Sequence, residues 1–110
     1  MSVNNSLYSG DITMLILKLL QKKDMYGYEM IETLKNSSNN MFELKAGTLY
    51  PLLHTLVKQQ YLNYHEKEVN GKVRKYYSLT LQGKKLLQDN TSIWQKYVKT
   101  MASLLELEAY

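Results

Sequence analysis

The sequence predicts a mainly α fold with one small β-hairpin, an α+β winged helix-turn-helix carrying a long C-terminal dimerisation helix. Three observations predict it. Leu49, Leu52, Leu53, Leu56 and Val57 recur at i, i+3, i+4, i+7 and i+8 within residues 46–60, an apolar stripe at helical period. Two alternating segments flank Asn70-Gly71, a pair suited to the positive φ angles of a type I′ hairpin turn. The returning strand carries Lys72, Arg74 and Lys75, so a helix is followed by a basic hairpin. That layout lets the helix lie in a DNA groove while the hairpin holds the phosphates beside it.

The elements follow in order. A first helix is expected over residues 11–23, capped by Asp11. Ile12, Met14, Leu15, Ile16, Leu17, Leu19 and Leu20 cover most of its circumference, so it needs partners on most sides, a second subunit among them. Asp24-Met25-Tyr26-Gly27 breaks the chain. Gly27, Met30, Ile31 and Leu34 then mark a second helix, which ends in the polar run Asn36-Ser37-Ser38-Asn39-Asn40. Residues 41–44 alternate and predict a short strand. Pro51 sits about a turn inside the third helix and predicts a slight bend.

Residues 62–69 and 72–79 are the hairpin strands, and Thr80 is the N-cap of a last helix reaching about residue 108. Along it, Leu87, Thr91, Trp94, Val98, Met101 and Leu105 are spaced 4-3-4-3-4, a heptad-like seam flanked by Leu86, Ile93, Tyr97 and Leu104. Such a helix overhangs a small winged domain. Leu15, Leu19, Leu87, Trp94, Met101 and Leu105 are therefore the expected homodimer interface. The expected organisation is an N-terminal tail (1–10), a winged helix-turn-helix DNA-binding domain (11–80) and the dimerisation helix (81–110).

Composition narrows the function. The chain has 110 residues, enough for one domain. It has no cysteine, which excludes disulfides and thiolate metal sites, and no metal or other cofactor is expected. The histidines are His54 and His65, and no nucleophile triad, metal-ligand spacing or phosphate-cradling glycine loop accompanies them, so an enzyme is not expected. The longest apolar run, residues 14–20, is interrupted by Lys18 and too short to span a bilayer. Residues 1–8 lack the layout of a signal peptide, and a cytoplasmic location is expected. The net charge is +4, and its distribution matters more than its size. Residues 45–80 hold six cations and two acids, while the remainder holds eight of each. All the excess positive charge thus falls on the third helix and hairpin, where it suits a polyanion such as double-stranded DNA.

Lys45, Thr48, Tyr50, His54, Lys58, Lys72, Arg74 and Lys75 are the candidate DNA-binding residues. Thr48, Tyr50 and His54 offer hydroxyls and an imidazole to base edges or phosphates, and Lys72, Arg74 and Lys75 offer charge. A solvated helix face and lysines that protect an edge strand fit the same pattern. Trp94 fits two readings, a stacking platform for a planar ligand or a core residue of the dimer seam.

Three motifs resemble the PadR family of bacterial transcriptional regulators: Tyr26-Gly27-Tyr28-Glu29-Met30-Ile31, Gly47-Thr48-Leu49-Tyr50-Pro51-Leu52-Leu53, and Arg74-Lys75-Tyr76-Tyr77-Ser78-Leu79-Thr80 with Gly83 after it. The resemblance runs from about residue 14 to 87 and is similar to the short branch with a single C-terminal helix, which includes multidrug-sensing repressors. It implies a homodimer that represses promoters through two operator half-sites and is released by a small aromatic, drug-like or phenolic effector. By the same resemblance Trp94 would hold that effector, with Val98 and Ile12 as pocket walls. Val98 replaces an acidic residue of the drug sensors. Lys45 and Ala46 stand where the family often has Ser and Pro, which leaves Lys45 free for a phosphate. A winged-helix protein-interaction module without ligand response is the alternative function.

Overall fold

In the computed structural model, residues 9–107 are described. Four helices and one antiparallel hairpin follow one another as α1 (Ser9–Lys22), α2 (Gly27–Ser37), α3 (Ala46–Lys58), β1 (Leu62–Val69), β2 (Lys72–Leu79) and α4 (Leu81–Leu104). This is the mainly helical α+β fold expected. Its core joins the helices to the hairpin: Ile16, Leu17, Met30, Leu49 and Leu53 of α1–α3 and Leu62 of β1 are fully buried, with Tyr77 of β2 and Leu87 of α4 packed around them.

The hairpin forms for the reason its sequence gives. Asn70 and Gly71 adopt φ of 54° and 78°, and the strands pair in register from Leu62–Leu79 to Val69–Lys72. Directly opposed residues share a face. Leu62, Tyr64, Glu66, Lys75, Tyr77 and Leu79 lie on one face; His65, Lys67, Arg74 and Tyr76 lie on the other. Met25 joins the outer edge of β2, donating its N–H to the Tyr77 carbonyl at 3.3 Å and accepting from the Tyr77 N–H at 2.8 Å. The segment before α2 is therefore a one-rung third strand.

Thr80 caps α4 as expected. Its Oγ1 accepts from the Gly83 N–H at 3.0 Å and donates toward the Gln60 and Tyr61 carbonyls, 2.7 and 3.1 Å away. One side chain thus satisfies a helix start and anchors it to the turn after α3. Thr80→Ala should cost about 1–2 kcal/mol of stability, as N-cap losses do, measured by urea denaturation; an unchanged midpoint would refute the anchoring role.

Four expectations are corrected. α1 starts at Ser9, and Asp11 lies in its first turn, where a carboxylate favours the positive end of the helix dipole without being the cap residue. Residues 41–44 form no strand, because no strand edge pairs with them; Leu44 drops into the core and Phe42 packs on it, which produces the alternation. α3 ends at Lys58 because Gln60 takes a left-handed φ of 69°, and the Tyr61 N–H turns back to the Leu56 carbonyl. α4 ends at Leu104, leaving Leu105 as its C-cap; Glu106, at φ 57°, turns the chain away. Residues 1–8 of the expected tail and residues 108–110 lie outside the described residues. α3 continues through Pro51 as one helix, with Thr55 Oγ1 donating to the Pro51 carbonyl at 3.0 Å.

Candidate nucleic-acid interface

α3 buries Leu49, Leu53 and Leu56 and turns Thr48, Tyr50, His54 and Lys58 to solvent, the division its periodicity required. Lys45, the residue before α3, is also exposed and makes no side-chain cap. Two furrows border the hairpin, one between it and the start of α2 with Tyr50 of α3 at its side, the other between it and α3. One is lined by Tyr26, Gly27, Tyr28 and Tyr50 on the helical side and by Lys72, Val73, Arg74 and Lys75 on β2. The other is lined by His54, Val57 and Lys58 of α3 with Tyr64, Lys75 and Tyr77 of the hairpin. Lys75 borders both. The structure thus brings Tyr50, Lys72, Arg74 and Lys75 together around one furrow, and His54, Lys58 and Lys75 around the other. Thr48 and Lys45 stand at the exposed start of α3, outside both furrows.

Tyr50 lies against Gly27, which belongs to the chain break, the α2 stripe and the first family motif, none of which shows that contact. A Cβ at Gly27 would lie 2.5–2.7 Å from the Tyr50 ring and hydroxyl, so only glycine lets that ring lie against the start of α2. Tyr77, beneath the furrows, has its phenol pushed up, first by burial and then by Tyr50 and Tyr64 nearby, and stays neutral at physiological pH. At the other end of this surface the Lys23 ammonium is bound to Glu29 at 2.7 Å, which raises its pKa.

On the outer hairpin face the side chains form two rows. Tyr26, Tyr76 and His65 make an aromatic row across three backbone segments: Tyr26 meets Tyr76 edge-on at 5.4 Å and Tyr76 stacks on His65 at 5.9 Å. Arg74 and Lys67 face each other in the next row, and each leans diagonally onto a ring. The Arg74 guanidinium lies 4.2 Å from the Tyr26 centroid, and Lys67 Nζ lies 5.5 Å from that of Tyr76. On the opposite face Lys75 Nζ sits 4.7 Å from the Tyr64 ring.

A second surface lies between α1 and α4. Met14, Leu15, Lys18, Leu87, Thr91, Trp94, Gln95, Val98 and Lys99 line an open, largely apolar cleft. Trp94 is half-buried and meets Tyr97 edge-on at 5.4 Å. Of the ligand-pocket residues expected, Trp94 and Val98 line this cleft, while Ile12 is 3% exposed inside the core and does not. Of the interface residues expected, Leu15, Leu87 and Trp94 line the cleft, though Leu87 is already buried by its own chain; Leu19 packs on the core, and Met101 and Leu105 are exposed. The cleft's polar lining, Lys18, Gln95 and Lys99, escaped the sequence reading. Their spacing from Met14, Thr91 and Gln95, one turn each, was the available signal.

Residues 16–89 match the transcriptional regulator PadR-like family. The chain belongs to the PadR-like family. Among curated proteins this PadR-like chain is 31% identical over 105 residues to a Lysinibacillus sphaericus protein named only as uncharacterized protein X, covering 94% of this chain and 96% of that one. It is 33% identical over 81 residues to the Escherichia coli transcriptional regulator YqjI, covering 74% of this chain but 38% of that longer protein. Among solved structures it superposes on smu.1704 of Streptococcus mutans with a TM-score of 0.83 at 34% identity, covering 98% of both chains. A PadR family regulator of Clostridium difficile matches with a TM-score of 0.74 at 33% identity, covering 86% of this chain and 97% of that one. This PadR-like chain is therefore a transcriptional regulator rather than an enzyme, and membership of such a family implies DNA binding. No helix among the described residues is long and apolar enough to cross a membrane.

Proposed function

We propose that this PadR-like protein is a homodimeric, cytoplasmic repressor whose α3 helices enter the major grooves of two operator half-sites and whose hairpins hold the flanking phosphates. The placement of Lys72 and Arg74 around one furrow with Tyr50 of α3, and of Lys75 also beside His54 and Lys58, carries this reading. Thr48, Tyr50 and His54 are the residues in position for base edges, and Lys45 and Lys58 for phosphates. The dimer would bury the α1–α4 cleft and the apolar residues α4 leaves exposed, Ile93, Tyr97, Met101 and Leu104. Half-sites would then lie about one helical turn apart.

The same reading makes the cleft the effector site, with Trp94 and Val98 as its floor. Both charged residues lining it are lysines, so an aromatic anion suits it better than an aromatic cation. Such a ligand relieves repression only if it binds the two dimer geometries unequally.

The test is anisotropy of a labelled duplex across a salt series, with Trp94 emission followed as planar aromatic carboxylates and matched cations are added. The expected result is salt-sensitive DNA binding, quenching of Trp94 and tighter quenching by the carboxylates. Absence of DNA binding at low salt would overturn the repressor reading. A silent Trp94 would make the tryptophan an interface residue only, and stronger quenching by the cations would overturn the anion preference.

A further inference from the structure

We infer that Tyr26 is a positioning residue for DNA binding: its ring holds the Arg74 guanidinium at the phosphate-facing edge of the hairpin. The inference rests on Arg74 being a phosphate contact, as proposed above.

The backbone sets up the contact. Met25 pairs with Tyr77 in an antiparallel bridge, which places Tyr26 opposite Tyr76 and diagonal to Arg74. Cross-strand neighbours and their diagonals lie within reach of long side chains. The result is the guanidinium 4.2 Å from the Tyr26 ring centroid, and Tyr76, edge-on at 5.4 Å, braces that ring from the side. His65 stacks on the far side of Tyr76 at 5.9 Å and completes the row.

The arrangement resolves an electrostatic problem. Arg74 and Lys67 are directly opposed on one face, and like charges there repel. Among the described residues the ion pair is Lys23–Glu29, so no carboxylate within them neutralises Arg74. The rings supply the attraction instead, one under each cation. A carboxylate partner would have consumed the N–H groups of the guanidinium. A ring against the guanidinium occupies none of its N–H groups, so they stay open for a phosphate, and the contact removes rotamer freedom before DNA arrives. A lysine here could still lie over the ring, as Lys67 and Lys75 do over theirs, but it would offer a phosphate no planar fork of donors.

The test is a double-mutant cycle read by DNA anisotropy across salt, using Tyr26→Leu, Tyr26→Phe, Arg74→Ala and the Tyr26→Leu/Arg74→Ala pair. Tyr26→Leu should weaken binding roughly 2- to 5-fold, the effect of an exposed cation–π contact. Tyr26→Phe should bind as the parent does, and Tyr26→Leu should add nothing once Arg74 is alanine. Thermal melting of each variant separates a folding defect from a binding one. If Tyr26→Leu does not fold, Tyr26→Met takes its place in the same cycle, with the same expected loss beside Arg74 and none beside alanine. An equal loss from Tyr26→Leu in both backgrounds overturns the inference, as does no loss from Tyr26→Leu beside a clear loss from Arg74→Ala. A salt slope unmoved by Arg74→Ala removes the phosphate contact itself and the inference with it.

Discussion

Replacing Gly83 with alanine is expected to lower the melting temperature by about 10–20 °C, through roughly 2–3 kcal/mol of overpacking. Gly83 lies in the first turn of α4, where its N–H meets the Thr80 cap. An added Cβ would collide with the Tyr61 backbone carbonyl and crowd the Leu79 side chain. The Tyr61 carbonyl cannot retreat cheaply, since it also accepts from the Thr80 N–H at 3.2 Å. Relief therefore requires α4 to lift off the turn after α3, which breaks the Thr80 anchor. Differential scanning calorimetry measures this directly. A melting temperature within a degree or two of the parent would show that the turn yields, and that the close approach at Gly83 is not what fixes α4. Gly47, where a Cβ meets nothing within 4 Å, is the matched control, and Gly47→Ala should leave stability nearly unchanged.

The second large effect concerns DNA. Replacing Lys72 and Arg74 together with alanine should weaken binding to any duplex on the order of 10- to 100-fold near 0.1 M salt, and reduce the salt slope by about two. Both residues lie on β2 beside the furrow shared with Tyr50. Losses should be uniform across sequences, because phosphates carry no sequence information. A change confined to one operator would instead assign these residues to base recognition, and an unchanged slope would take the hairpin out of the interface.

The parts of the fold legible in the sequence are those decided within a few residues. Leu49, Leu53 and Leu56 announce α3 by period, Asn70-Gly71 fixes the hairpin by its φ requirement, and Thr80 caps α4 through a bond three residues away. The misreadings share another cause. Residues 41–44 alternate like a strand, yet a strand exists only if an edge receives it, and that depends on the rest of the chain. The strand segment that does join the sheet, at Met25, has no alternation to reveal it, because a single bridge needs none. The candidate site shows the same division. Lys72, Arg74 and Lys75 are visible as a charge cluster on a strand. The ring against Lys75 comes from Tyr64, a diagonal neighbour that the Asn70-Gly71 register implies, but the ring against Arg74 comes from Tyr26, brought there by tertiary pairing that no local pattern announces. Gly27 likewise looks like part of an apolar stripe until the Tyr50 ring is seen against it.

The single rung between Met25 and Tyr77 has a mechanical meaning. It welds the hairpin to the entry of α2, so the hairpin is not a flap on a hinge. α4 leaves the hairpin through Thr80 and extends for 24 residues, about 36 Å of rigid rod. A rod of that length, pushed sideways near its middle, turns whatever is clamped at its base. Hairpin, α2 and α3 are joined to that base as one block, so a tilt of a few degrees there would move their outer edge by ångströms. The rung does not act alone in this, because Leu62 and Tyr77 of the hairpin and Leu87 of α4 share one core.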